Sequence, residues 1–311
     1  MRYTDIAIVG GGLAGSTAAA MLGRAGIAAV LIDPHPLYPP DFRVEKLGGG
    51  EQIARFRKTG VADAVLRKAT RCEETWIARA GHLLDKPPRA QFGILYHDLV
   101  NAIRSEIPDG VETIYAKASS ISTSSDRQKI VLSNDEMISA RLVVLANGLN
   151  IGLRQMLGIE RQITSACHSI SIGFDIFPAG KPAFDFPALT YFAERPGELI
   201  PYISLFPIGS RMRANLFVYR DFDDPWLRQL RRAPVETLNA ALPRLRRITG
   251  AFAIPGEIKM RPADLAINTD YRRDGIVLVG DAFKTTCPAT GTGSDKVFTD
   301  VERLCNVHIP A

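Results

Sequence analysis

Residues Gly10-Gly11-Gly12-Leu13-Ala14-Gly15 place glycines in the spacing GxGxxG. That spacing brings backbone amides onto a diphosphate. Gly10 permits a tight turn, Gly12 lets the main chain approach a pyrophosphate, and Gly15 lets the next helix pack closely on the preceding strand. The amides of Leu13 and Ala14 open that helix, with the positive end of its dipole towards the phosphates. About 20 residues further on, Ile32-Asp33 supplies a carboxylate where such a fingerprint accepts hydrogen bonds from an adenosine ribose. The same charge repels a 2′-phosphate, so the turn suits FAD or NAD rather than NADP.

A second chemical feature lies near the other end. The stretch Gly275 to Thr292 reads GIVLVGDAFKTTCPATGT, an apolar run ending in Gly280-Asp281. Pro288 and Gly291-Thr292-Gly293 then precede a helical segment. A glycine-rich helix start is a ready anion site, and a reduced flavin is an anion. No His/Cys cluster has metal-ligand spacing, and Cys72, Cys167, Cys287 and Cys305 form no CxxC pair. The thiols read as reduced and no metal is expected.

The elements that must hold these turns follow from apolar periodicity. A buried strand over 4–9, a helix over 13–25 stopped by Gly26 and a strand over 28–32 make a βαβ unit. Pro34, Pro36, Pro39 and Pro40 enforce a loop. Helices are predicted over 50–68, 95–106, 226–247 and 293–305. Strands are predicted over 111–118, 129–133, 142–146 and 276–279. Segments 167–176, 188–194, 200–206 and 212–220 read as an antiparallel sheet inserted between the halves of the first domain. The expected fold class is α/β, a Rossmann-like domain over 1–75, 90–165 and 260–311. Residues 76–89 and 166–259 would form a substrate domain with an antiparallel sheet.

Composition excludes several classes. With 46% hydrophobic and 23% charged residues the chain reads as globular. No apolar run reaches the roughly 18 residues of a membrane span. Asp5 stands where a secretory signal needs basic residues, so a cytoplasmic protein is expected. The net charge is +5, with Arg228, Arg231, Arg232, Arg244, Arg246 and Arg247 close together. These read either as an attraction for anions or as a solvated helix face. No nucleic-acid-binding module is present.

The two turns together resemble the FAD-dependent monooxygenases related to p-hydroxybenzoate hydroxylase, over roughly 4–50, 90–160 and 260–305. The resemblance implies a p-hydroxybenzoate hydroxylase-like FAD-binding fold and FAD as cofactor. NADH or NADPH would be the transient reductant, and a flavin C4a-hydroperoxide would insert oxygen into an aromatic or polyketide-like small molecule. Asp281 would bond the ribityl hydroxyls. Gly291, Thr292 and Gly293 would set amides beside the flavin pyrimidine. A third family motif, Asp-Gly, is replaced by Asn147-Gly148, which keeps hydrogen bonding without the charge and makes NADPH contacts less secure. Arg43 aligns with a family arginine near the flavin, although a surface arginine would look the same. Tyr96 stands where the family has an arginine for the pyrophosphate. Gly48-Gly49-Gly50 follows no predicted strand, so a second Rossmann domain is not expected.

The flavin carries the chemistry in such enzymes, and no catalytic base is named. His168, Tyr191, Tyr202 and Arg213 lie on predicted strands that could wall the pocket, and Cys287 could sit near the flavin. Rival readings are a halogenase, whose WxWxIP signature is missing, a flavin-dependent reductase, or a truncated, non-catalytic FAD-binding protein. The last is suggested by a chain that stops at Pro310-Ala311, soon after the PxxGxG helix. Substrate identity and oligomeric state stay open.

Overall fold

The computed structural model describes residues 1–88 and 90–310. Strand Arg2–Val9 lies at the centre of the first sheet, between Ala29–Ile32 and Met137–Leu145, parallel to both. Glu112–Ile114 extends the Ala29–Ile32 side in parallel. The far edge of Met137–Leu145 is shared. Gln128–Leu132 pairs antiparallel with its first half, followed by Ala118–Ser122, and Ile276–Leu278 pairs parallel with its second half.

Side chains of these strands alternate between two apolar layers. Ile6, Ile8 and Leu31 pack under helices Leu13–Arg24, Tyr96–Arg104 and Gly293–Arg303. Ala7, Val9 and Ile32 pack on the other face against Ile114, Ile130 and Leu153. Burial on both faces explains why the central strands read as continuous apolar runs. Phe56 stacks on Phe298 with ring centroids 3.9 Å apart and ties helix Gly50–Arg57 to the last helix.

The second sheet is largely antiparallel. Glu160–Pro178 pairs with Arg211–Val218, which pairs with Tyr202–Ile208 and then Leu189–Phe192. Trp76–Arg79 and His82–Asp85 complete that side. Lys259–Thr269 pairs along the other edge of Glu160–Pro178, so this sheet extends past 166–259 at both ends. One face carries Ile172, Phe174, Leu205 and Leu216 and is covered by the helices that follow Asp224. The opposite face carries Ser171, Tyr202, Ser204, Asn215 and Phe217 and looks towards the first sheet.

Several expectations need correction. The helix predicted over 50–68 is two, Gly50–Arg57 and Ala62–Lys68, because Gly60 takes a positive φ between them. The one over 226–247 is three, Pro225–Arg232, Pro234–Ala241 and Arg246–Thr249. Pro234 can open a helix but not continue one. Gly48 does end a strand, Val44–Gly48, and Gly50 does open a helix. That strand runs antiparallel to Gln91–Leu95 in a three-stranded sheet with Thr70–Cys72, so no second Rossmann unit results.

The first turn has no slack. A Cβ on Gly15 would fall 1.8 Å from the Gly10 carbonyl oxygen, a backbone atom that cannot swing aside. A Cβ on Gly12 would meet nothing within 4 Å, and its φ of −75° suits any residue. Gly15→Ala should therefore cost the cofactor-free chain about 2–3 kcal/mol and lower its melting temperature by roughly 5 °C or more. Gly12→Ala should leave that melt unchanged. Equal melting of the Gly15→Ala and wild-type chains would show that the turn is looser than drawn.

Candidate active site

Four parallel strands end at one level, since Val9 is in register with both Ile32 and Leu145, and Leu145 with Leu278. The chain leaves them into the turns at Gly10, Asp33, Asn147 and Gly280. Gly10 takes φ 103°, and a Cβ there would lie 2.7 Å from the Ala146 carbonyl oxygen. A Cβ on Gly280 would lie 3.4 Å from the Ala14 Cβ. The early and late glycine turns are thus in contact. They open onto a cleft of about 360 Å³ whose walls include Leu13, Asp281, Pro288, Gly291 and Gly293.

Two helices start at this cleft. Neither Gly12 nor Thr292, the residue before each, caps its helix with a side chain. The first amides keep the orphan donors that every helix start carries. Gly291 adopts φ 67°.

Asp33 accepts from the Gly11 amide at 2.7 Å and pairs with Arg104 at 3.1 Å. Arg104 also donates to the Gly11 carbonyl at 3.0 Å. One guanidinium therefore clamps the turn and its acid together. Arg104 was not foreseen. It is 71 residues beyond Asp33 and reads as an ordinary basic residue in a helix's last turn. Asn147 abuts Gly10 rather than lining the cleft; its amide nitrogen donates to the Asn150 carbonyl at 3.0 Å and its amide oxygen is buried without a partner. Gly148 takes φ 56° and stands back from the cleft, whereas Leu149 lines it.

Asp281 lines the cleft beside three cations. Burial raises its carboxyl above the usual range, and the charges of Arg43, Lys296 and Arg154 offset part of that. Arg154, also unforeseen, donates to the carbonyls of Ala282 and Asn150 and so ties the third turn to the second. Burial, with a smaller push from Arg161, pulls its guanidinium down to about 10.

Arg43 reaches the cleft from the loop before Val44–Gly48. It donates to Asp41 at 2.9 and 2.6 Å and to the Tyr38 hydroxyl at 3.1 Å. Its guanidinium lies 3.9 Å above the Tyr96 ring, a cation–π contact. Tyr96, in the place of a family arginine, thus orients Arg43. Burial works to raise the Asp41 carboxyl, but Arg43 overcomes it and holds it low.

The cleft's other wall is the polar face of the second sheet, with Ser171, Tyr202, Ser204, Asn215 and Phe217. The Tyr202 hydroxyl donates to the Ala289 carbonyl at 2.5 Å, tying this wall to the PxxGxG turn. Tyr202 is the one pocket-wall candidate that lines the cleft. Tyr191 faces the opposite way, fully buried, its hydroxyl donating to Glu194 at 2.6 Å, because one residue's shift along a strand reverses the face. Arg213 pairs with Asp175 at 3.0 Å and donates to the Phe42 carbonyl at 2.6 Å, so it anchors the Phe42–Arg43 loop. His168 sits by Ser165 and Tyr219, and the Cys287 thiol is beside Tyr219; neither lines the cleft. The arginines between 228 and 247 are solvated on the far side of the sheet.

The residues fit FAD. Open space above Gly12, two helix starts without side-chain caps and the half-buried carboxylate of Asp281 offer the donors and the acceptor that a diphosphate and a polyhydroxyl chain need.

Comparison with known proteins agrees. The family model for the FAD binding domain matches residues 3–307. The 3-demethoxyubiquinol 3-hydroxylase of Escherichia coli K12 is 26% identical, over 99% of this chain and 80% of its own length. The 3-amino-4-hydroxybenzoate 2-monooxygenase PtmB3 of Streptomyces platensis is also 26% identical, over 63% of this chain and 52% of its own. Among solved structures, p-nitrophenol 4-monooxygenase PnpA from Pseudomonas putida DLL-E4 superposes with a TM-score of 0.77 at 18% identity, covering 98% of this chain and 80% of that one. The flavin-dependent brominase Bmp2 reaches the same score at 15% identity, covering 98% and 78%. Among the described residues no helix is long and apolar enough to cross a membrane. With its p-hydroxybenzoate hydroxylase-like fold and FAD as its cofactor, the chain belongs to the FAD-binding-domain family of flavin-dependent monooxygenases.

Proposed function

We propose that this chain uses NADH or NADPH and O2 to hydroxylate an aromatic or polyketide-like small molecule. The observation that carries the reading is the single cleft with two unlike walls: glycine turns and helix starts on one side, a polar and aromatic sheet face on the other. The similarity to a hydroxylase and to a monooxygenase supports it. The four free thiols favour a reducing compartment, the cytoplasm. The FAD-binding part is taken as 1–75, 90–165 and 260–311, and 76–89 with 166–259 as the substrate part, whose sheet overruns those bounds through Glu160–Pro178 and Lys259–Thr269.

In this reading the amides of Leu13 and Ala14, reached over Gly12, hold the pyrophosphate, with Gly10 and Gly15 setting the turn. Asp33, at the end of Ile32, receives the adenosine ribose. Asp281 receives the ribityl hydroxyls. Gly291, Thr292 and Gly293 place the dipole of helix Gly293–Arg303 at the pyrimidine edge, where it stabilises negative charge. Arg43 adds a positive charge, Gly280 and Pro288 shape the groove, and Asn147-Gly148 supports the Gly10 turn from behind. Bound FAD supplies electron transfer and oxygen activation. The protein orients the ring against the sheet and keeps water out.

Glu45 lies in this cleft near Ser294, Arg43 and Asp281. Burial pushes its carboxyl up to about 7, while Ser294 and Arg43 pull the other way. A carboxyl raised in the folded state holds a proton that the unfolded chain has lost. The contribution of Glu45 to folding stability therefore falls as pH rises from about 4.5 to 7 and is flat above.

Purified protein reconstituted with FAD should be yellow and be bleached by NADH or NADPH, faster with substrate. Hydroxylated product should appear with O2. A chain that cannot be reconstituted, or whose flavin is never reduced with any ligand tried, is not this enzyme. Brominated product in bromide-containing buffer would favour the halogenating activity of the structurally similar Bmp2. Asp281→Ala should weaken FAD retention about tenfold or more, and Gly12→Val should do so without lowering the melt of the cofactor-free chain. Glu45→Gln should stabilise that chain by about 1–2 kcal/mol at pH 8, allowing for water in the cleft, and by nothing at pH 5. Equal gains at both pH values would show that Glu45 is not the group that titrates.

A further inference from the structure

Strand Val44–Gly48 runs between the two walls, and its pleat separates two opposite charges. Glu45 turns to the helix start, with Ser294 and Asp281 as neighbours. Lys46 is paired across the ladder with Gly93, so their side-chain positions share a face. A Cβ on Gly93 would lie 2.5 Å from the Pro207 carbonyl oxygen and 2.9 Å from Phe206, residues of strand Tyr202–Ile208. Lys46 therefore points to the substrate sheet, into the cleft it lines with Ser204 and Asn215.

Lys46 differs from the other cations that line the cleft, Arg43, Arg161 and Arg261, in having no ion-pair partner among the described residues. Arg43 is held by Asp41, Arg161 by Asp264 at 3.2 Å, and Arg261 shares Asp41 at 3.6 Å. Among the described residues no carboxylate pairs with the Lys46 ammonium. We propose, resting on the hydroxylase reading above, that Lys46 pairs with an anionic oxygen on the aromatic substrate, a carboxylate or a phenolate. The ring would then lie against Tyr202 and Phe217, with Ser204 and Asn215 hydrogen-bonding its substituents. Burial alone lowers the Lys46 ammonium from its ordinary range, and an arriving anion would reverse that. A buried cation without a partner is costly unless a ligand completes it. The lysine selects for charge where Tyr202 and Phe217 would accept any flat ring.

The test titrates FAD-loaded protein with benzoate, 4-nitrophenol and neutral benzamide, following the flavin spectrum. Wild type should bind benzoate or 4-nitrophenol at least about tenfold more tightly than benzamide. Benzoate in front identifies a carboxylate partner, and 4-nitrophenol bound as its yellow phenolate identifies a phenolate. Lys46→Met should lose that preference while keeping FAD content and melting no lower than wild type, and Lys46→Arg should restore part of it. Equal affinities in wild type and Lys46→Met, a benzamide affinity matching the anions, or no anion binding by wild type would overturn the assignment. Binding is read without turnover. An anion preference with no hydroxylated product would sink the hydroxylase reading and leave Lys46 standing. Turnover of neutral rings, undisturbed in Lys46→Met, would do the reverse.

Discussion

The site rests on how closely backbone can approach backbone at the carboxyl ends of four parallel strands. Gly10 must turn with a positive φ directly against the Ala146 carbonyl, and Gly15 must let helix Leu13–Arg24 settle on the Gly10 carbonyl. A side chain at either place would lift the helix from the sheet. The Ala14 position would then lose contact with Gly280, and one groove would become two unrelated turns. Hydrogen bonding along the strands supplies the rest. Because Val9, Ile32, Leu145 and Leu278 share a level, turns far apart in sequence open at one height. Arg104 and Arg154 are consequences of that convergence, since each satisfies carbonyls that crowd together only after folding.

A division of labour follows. The wall contributed by the first sheet acts mainly through main-chain amides and helix ends, which almost any sequence can provide if the glycines are kept. The wall contributed by the second sheet acts through side chains. Strand Val44–Gly48 joins the two and carries an acid towards one and a base towards the other. Burial pushes the Glu45 carboxyl up to about 7, so near neutral pH it carries only part of a charge, and the pleat turns it away from Lys46. Charge in the cleft is thereby left unbalanced on the substrate side, where it can select.

Much of this was legible in the sequence where the signal is local. The GxGxxG turn, the Asp33 that follows, the Gly280-Asp281 turn and the helix from Gly293 each depend on neighbours within about 20 residues. The apolar runs of the first sheet show because both their faces are buried. What escaped depends on contacts across long separations. The strand Lys259–Thr269 carries polar residues and a proline, and only its pairing with Glu160–Pro178 makes it a strand. The face of Tyr191 could not be assigned from sequence, because a period of two reverses with a one-residue shift along the strand. Val44–Gly48 was missed because its two charges and the glycine run that begins at Gly48 read as loop, and with it went Glu45 and Lys46.

The same reasoning locates where the reaction is chosen. A p-nitrophenol monooxygenase and a brominase superpose on this chain equally well, at 18% and 15% identity. The shared fold therefore fixes how a flavin can be held and leaves open what meets it. Choice must come from side chains that project from the shared backbone into the cleft. Here the candidates lie on two strands of the second sheet, at Tyr202, Ser204, Asn215 and Phe217, and on the strand that divides the walls, at Lys46. Ser204, Asn215, Phe217 and Lys46 can be exchanged without touching the glycine turns, because their backbones belong to ladders that any strand-forming residue can maintain, whereas Tyr202 also holds the Ala289 carbonyl of the late turn. In this reading the turns that hold the cofactor and the side chains that meet the ligand are separable, and Lys46 is the cleft-lining cation left without an ion pair among the described residues.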